Sequence, residues 1–144
     1  MASLQAAALR QFYAALETYP PLVALTGHVP GATSLGAGAR IIGDSVRLRP
    51  HPIPGVVLGL GNRNQGGKAT THEALRDWEI SLLVWAEDVF QAAEIAEAVE
   101  DFCSLARWET GPVRQAQWVS SQQMELSQDQ EYISVLITVR LRIA

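Results

Sequence analysis

Cysteine is nearly missing from this chain: Cys103 stands alone among 144 residues. That excludes a disulfide framework, and its place on an apolar helical face makes it a buried, inert thiol. Long apolar runs are missing too, since none approaches the roughly 20 residues that span a bilayer. The N-terminal stretch MASLQAAALRQF has no basic start and no continuous apolar core, so no secretory signal is expected. A reducing, aqueous compartment follows. Glycine is scarce outside one region, with ten of the eleven lying between Gly27 and Gly67. The chain is expected to bend there.

Charge of one sign is absent from a long stretch. Residues 77–101 hold eight acids and no base, while residues 40–76 hold Arg40, Arg47, Arg49, Arg63, Lys68 and Arg76 against Asp44 and Glu73. The two balances are −8 and +4, in a chain of net charge −4. Such polarity reads as a solvated face, or as subunits that pair a basic edge with an acidic one. With a net charge of −4, nothing in the bulk composition asks for sequence-specific nucleic acid or an anionic membrane.

What is present is one domain's worth of core. The chain is 48% hydrophobic and 18% charged, as in folded proteins of this length. Its centre is the stretch 78–107. Trp78, Ile80, Leu82 and Val84 alternate with Glu79, Ser81, Leu83 and Trp85, the period of a strand. Ala92, Ile95, Ala96, Val99, Phe102, Cys103 and Ala106 then recur on one helical face, with Glu94, Glu97, Glu100 and Asp101 opposite.

Residues 3–18 predict a leading helix, with Ser3 as N-cap and Leu4, Ala8, Leu9, Phe12, Tyr13 and Leu16 as its stripe. Pro20 and Pro21 stop it, and a short second helix fits Pro21–Leu25, ended by Gly27. Residues 27–38 read as a loop, 40–49 as two short strands about a Gly43-Asp44 turn, and 50–54 as an extended proline connector. Val56–Leu60 is a strand and 61–72 a polar loop. Val113–Leu126 and Glu131–Ile143 form two long strands joined by SQDQ. In the last, Ile133, Val135, Ile137, Val139, Leu141 and Ile143 point inward, and only Leu136 interrupts the outer row. The order α–β–β–β–α–β–β predicts an α+β domain, residues 1–144, with a mainly antiparallel sheet covered on one face by two helices.

Chemical motifs come close and fail. GNRNQGGK at 61–68 has five residues rather than four between Gly61 and the Gly67-Lys68 pair, and Ala69 replaces the Ser or Thr of a phosphate loop. GLGNRN lacks the third glycine of a dinucleotide fingerprint. HEALR at 72–76 puts Arg76 where a zinc protease needs its second histidine. His28, His51 and His72 fall in predicted loops without partners at ligand spacing and read as surface histidines. The acids at 94, 97, 100 and 101 face away from the apolar stripe and read as a solvated helix face rather than a metal or acid–base cluster. Trp78, Trp85, Trp108 and Trp118 read as core or subunit contacts. The expectation is a non-enzyme with no cofactor or metal.

The order of the whole chain is the informative feature. Val84-Trp85, the polar turn at Glu87-Asp88 and the helix residues Ala92, Ile95, Ala96, Ala98 and Val99 form a V-W, then A-x-x-I-A-x-A-V pattern. With the leading helix, the PIPGVVLGLG stretch and the closing SVLITVRLRI strand, it resembles the tail terminator (tail completion, head–tail joining) proteins of long-tailed phages and prophages. The likeness covers most of residues 4–143. It departs where the family often has Asp-Gly in the last hairpin and this chain has Ser127-Gln128-Asp129-Gln130.

The resemblance implies a structural virion protein, assembled in the host cytoplasm and located at the head-proximal end of the tail. It would form a ring, usually a hexamer, that ends growth of the tail tube and presents a docking surface to the head. Its partners would be itself, the tail tube protein and a head-completion or connector protein. The expected interface residues are Arg47, Arg49, Arg63, Lys68, Arg76, Trp85, Glu94, Glu97 and Asp101. A different reading is a small oligomeric ligand-binding or regulatory protein whose 61–72 loop closes over an anion.

Overall fold

A computed structural model describes residues 4–43, 53–59, 76–124 and 132–143. The elements run α1 (Leu4–Leu16), α2 (Pro20–Thr26), a single 3-10 turn (Leu35–Ala37), β1 (Ile41–Ile42), β2 (Gly55–Gly59), β3 (Arg76–Ala86), α3 (Val89–Leu105), β4 (Val113–Gln123) and β5 (Ile133–Ile143). The α+β class is as expected. Beside the two helices expected to cover the sheet, the short helix expected at Pro21–Leu25 is present as α2, packed mainly against α3. Pro20 and Pro21 sit at its first turn, where no N–H is required, and Gly27 closes it at φ 75°. The Ser3 cap, the Gly43-Asp44 turn with the strand beyond it, Pro50 and Pro52, the 61–72 loop, the SQDQ turn, His51 and His72 lie outside the described residues.

The strands form one sheet in the order β1-β2-β3-β5-β4. All neighbours are antiparallel except β1 and β2, which are parallel. β3 and β5 form its centre, paired along their whole lengths from Arg76↔Ile143 to Ala86↔Ile133.

The main core lies between the helices and one face of this sheet. Trp78, Ile80, Leu82 and Val84 of β3 and Val135, Ile137, Val139, Leu141 and Ile143 of β5 meet Ala8, Phe12, Leu16, Ile95, Val99 and Phe102. Phe102 is the hub on the helical side, edge-on to Phe12 at 5.6 Å and to Tyr19 at 5.2 Å between ring centroids. α3 starts at Asp88, whose carboxylate accepts from the Gln91 amide at 2.8 Å. The Gln91 side chain reciprocates by accepting from the Glu87 amide at 2.8 Å. One orphan donor of the helix start and the amide just before the cap are thereby satisfied, a capping-box arrangement displaced by one residue.

A second, smaller core occupies the other face of the sheet at one end. Ala32, Ala39, Ile42, Val57 and Trp85 are buried together, with Ile53, Leu83 and Tyr132 packed around them. The segment between α2 and β1 folds over this face to make it.

Candidate assembly surfaces

The interface residues expected on α3 are where the helical period puts them. Glu94, Glu97 and Asp101 are exposed, on the side away from Ile95, Val99 and Phe102. Arg47, Arg49, Arg63 and Lys68 lie outside the described residues, and of Arg76 only the backbone, at the first position of β3, is described. The 61–72 loop of the ligand-binding reading is likewise outside.

Trp85 is a correction. The two-residue period does place it opposite Val84, but that face is covered here. Trp85 is 4% exposed and edge-on to Tyr132, with centroids 6.4 Å apart. Enclosed by its own chain, the indole is no free surface for a neighbour. His28 is a second correction, for it is not a surface histidine. Its side chain is fully buried, with Nδ1 accepting from the amides of Arg40 at 2.9 Å and Ile41 at 3.1 Å. An Nδ1 that accepts cannot carry the proton, so Nε2–H is the donor toward Glu17 Oε2 at 3.3 Å. Both ring nitrogens are thus occupied in holding the 28–41 segment to α1.

Tyr13 completes that clamp by donating its hydroxyl to the Ile41 carbonyl at 2.5 Å. Burial, then the nearby Glu17 carboxylate, push the Tyr13 phenol up to about 12. In a parallel pair alternate residues face away from the partner strand. Arg40 carbonyl accepts from Val56 of β2, so Ile41 faces outward, and His28 and Tyr13 take its amide and carbonyl. The β1 edge of the sheet is capped by side chains of its own chain.

The β4 edge is different. Its beginning is covered by the linker from α3, through an Arg107↔Gln115 bridge and the Trp108 amide donating to the Arg114 carbonyl at 3.1 Å. From Ala116 onward β4 pairs only with β5 among the described residues. Ser120 to Gln123 are exposed on both faces. Beside this edge, between β4 and the C-terminal half of α3, runs an open groove of about 320 Å³. Glu100, Cys103, Ser104 and Arg107 form its helical wall, and Gln115 to Trp118 its strand wall. Burial and then Glu100 raise the Cys103 thiol to about 12, so it stays protonated and unreactive.

The uncovered part of the outer sheet face is polar. Asp77 and Glu79 of β3 stand opposite Arg142 and Arg140 of β5, with N···O distances of 3.6 and 3.2 Å. These partly exposed pairs order the face more than they stabilise it. Exposed apolar side chains gather at element ends: Val89 and Phe90 start α3, Leu105 ends it, and Met124 follows β4. Among the described residues no group of three or more His, Cys, Asp or Glu side chains could hold a metal ion. No described helix is long and apolar enough to cross a membrane.

No family model matches the chain, and no curated protein sequence does. Among solved structures it is similar to a chain in the virion of a native gene transfer agent particle, with a TM-score of 0.58 and 17% sequence identity. That match covers 98% of this chain and 94% of the other, so the two share a fold from end to end.

Proposed function

We propose that this protein is a structural component of a phage-like particle, a tail terminator rather than an enzyme. The observation that carries this reading is the full-length fold shared with a chain of a gene transfer agent virion. It agrees with the resemblance drawn from the V-W strand end, the Glu87-Asp88 turn and the α3 pattern, which rests on residues and not on the fold. In this role the chain closes into a ring, usually of six copies, on the last ring of the tail tube. It stops tube growth and offers its other side to a head-completion protein.

No chemistry is required of such a protein, and its side chains suit that. His28 is consumed in a structural clamp and Cys103 is kept protonated. The acidic stripe of α3, with Glu94, Glu97 and Asp101, supplies one half of a head-to-tail contact, and the basic 40–76 stretch of the next copy supplies the other. The experiment is tube assembly with the cognate tube protein, followed by negative-stain microscopy. Tubes of limited length, each ending in an added ring, are expected when this protein is included. Tubes that grow equally long with and without it would remove the terminator reading.

A further inference from the structure

The two edges of the sheet are treated in opposite ways, and the difference points to a partner. On the β1 side, Tyr13 and His28 occupy the outward amide and carbonyl of Ile41. On the β4 side, the backbone groups from Ala116 to Gln123 that face away from β5 have no strand beside them among the described residues. Bare edges are normally guarded with Lys, other charges or Pro. From Gln115 to Met124 the sequence is QAQWVSSQQM, without one charged residue or proline. Two register shifts, at Val113/Gln115 and Trp118/Ser120, are the protection this strand has.

We propose that β4 pairs, antiparallel, with the β4 of a second copy across a two-fold axis. Length selects this occupant. The open edge of eight residues spans about 26 Å at roughly 3.3 Å per residue. Among the described residues of a second copy, the opposite sheet edge offers two residues, and these are already capped. Of the described edges, another β4 is the one that matches it in length. Charge agrees, because copies of net charge −4 repel in general. The uncharged β4 edge is a line along which they approach without meeting like charges.

The groove beside the edge supports the same geometry. Side chains of an added strand on the helix side would enter the space between β4 and Glu100, Cys103, Ser104 and Arg107. An antiparallel overlap brings the end of one β4, with Met124 at 41% exposed, toward the other copy's groove beside Gln115 and Ala116. Strand addition next to a flanking helix is a general mode of recognition, with main-chain bonds giving affinity and side-chain space giving register. Because the contact is isologous it closes on itself and does not grow into a filament. A two-fold contact cannot join neighbours in a six-fold ring, so it belongs to the free protein and opens before the acidic-to-basic ring contact forms.

The test combines sedimentation with amide hydrogen exchange on the full chain, for wild type, Ser120→Lys/Gln122→Lys and Glu94→Lys/Glu97→Lys. The wild type should form a dimer in which β4 amides exchange at least tenfold more slowly than at concentrations where it is monomeric. The edge double variant should keep its helical circular dichroism yet weaken the dimer at least tenfold, since added lysines face each other across the axis. Glu94→Lys/Glu97→Lys should dimerise like the wild type. Monomers at every concentration would overturn the proposal. So would association that leaves β4 exchange unchanged, or an edge variant that associates as well as the wild type. Protection of β4 only after tail tubes are added would also overturn it, and would assign the edge to the tube protein.

Discussion

Trp85 and Ile137 show how much one residue decides here. Ile137 is fully buried between β3 and the helices, while Thr138 on the opposite face is half-buried between strands of polar residues. An Ile137→Asp change places an unpaired charge in the core. Its cost of several kcal/mol is comparable to total stability, so this variant should be unfolded by circular dichroism at room temperature. Thr138→Asp should melt within several degrees of the wild type. Trp85→Ala should lose about 3–5 kcal/mol in chemical denaturation, the cost of emptying a packed aromatic site. That loss would be independent of protein concentration, as suits a residue buried within one chain. Gln11 is a quieter case. Its amide donates to the Thr110 carbonyl at 2.9 Å, and its carbonyl accepts from the Val113 amide at 2.8 Å. Gly111, at φ 88°, lies so close that a Cβ there would be 2.7 Å from Gln11 Nε2. Gln11→Ala should therefore cost about 1–3 kcal/mol by leaving backbone groups of the turn unpaired.

At the scale of elements, α1 and α3 each carry one group whose ionisation opposes folding. Tyr13 on α1 is raised from 10.0 and Cys103 on α3 from 9.0, both to about 12. A raised pKa means the folded state holds the proton more tightly than the unfolded chain. The stability from each is complete below the unfolded value and is lost as pH rises toward the folded one. Melting temperature should thus be flat with respect to these two groups at pH 7–8 and fall between pH 9 and 12. In Tyr13→Phe the fall above pH 10 should be shallower, although the variant starts lower for want of its bond to Ile41. An equally steep fall in Tyr13→Phe would show that another group governs alkaline unfolding. The same chemistry predicts that Cys103 resists alkylation at pH 8 in the native protein and reacts on unfolding.

For the whole molecule, the proposed ring makes the α3 acids a matter of assembly and not of folding. Glu94, Glu97 and Asp101 are exposed, and single exposed ion pairs contribute about 0–1 kcal/mol. Their pairing with a neighbour's basic stretch would select the neighbour more than hold it. Glu94→Lys/Glu97→Lys should melt like the wild type within a few degrees but form fewer rings on tail tubes at low salt. High salt should narrow the difference by screening the charges. Equal ring formation by both proteins at low salt would end the charge-pairing idea.

Much of the fold was legible in local pattern. The period of two in β3 and β5, and the helical period of α1 and α3, were readable because each element buries one stripe and solvates the other. The register Ile133, Val135, Ile137, Val139, Leu141, Ile143 came out on the core face for that reason. The same pattern put Glu94, Glu97 and Asp101 on the outside. What no local pattern carries is which of two faces receives a second cover. Trp85 alternates with Val84 as an outward residue should, and it is the fold-back of the 28–42 segment, together with Ile53 and Tyr132, that buries it. His28 looked like a loop histidine because its partners, Glu17, Arg40 and Ile41, are 11 to 13 residues away and follow no period. The contrast between a capped β1 edge and a bare β4 edge belongs to tertiary structure for the same reason. A strand's neighbours are set by how the sheet is ordered in space, and hydrophobic alternation reports the faces of a strand but not its edges.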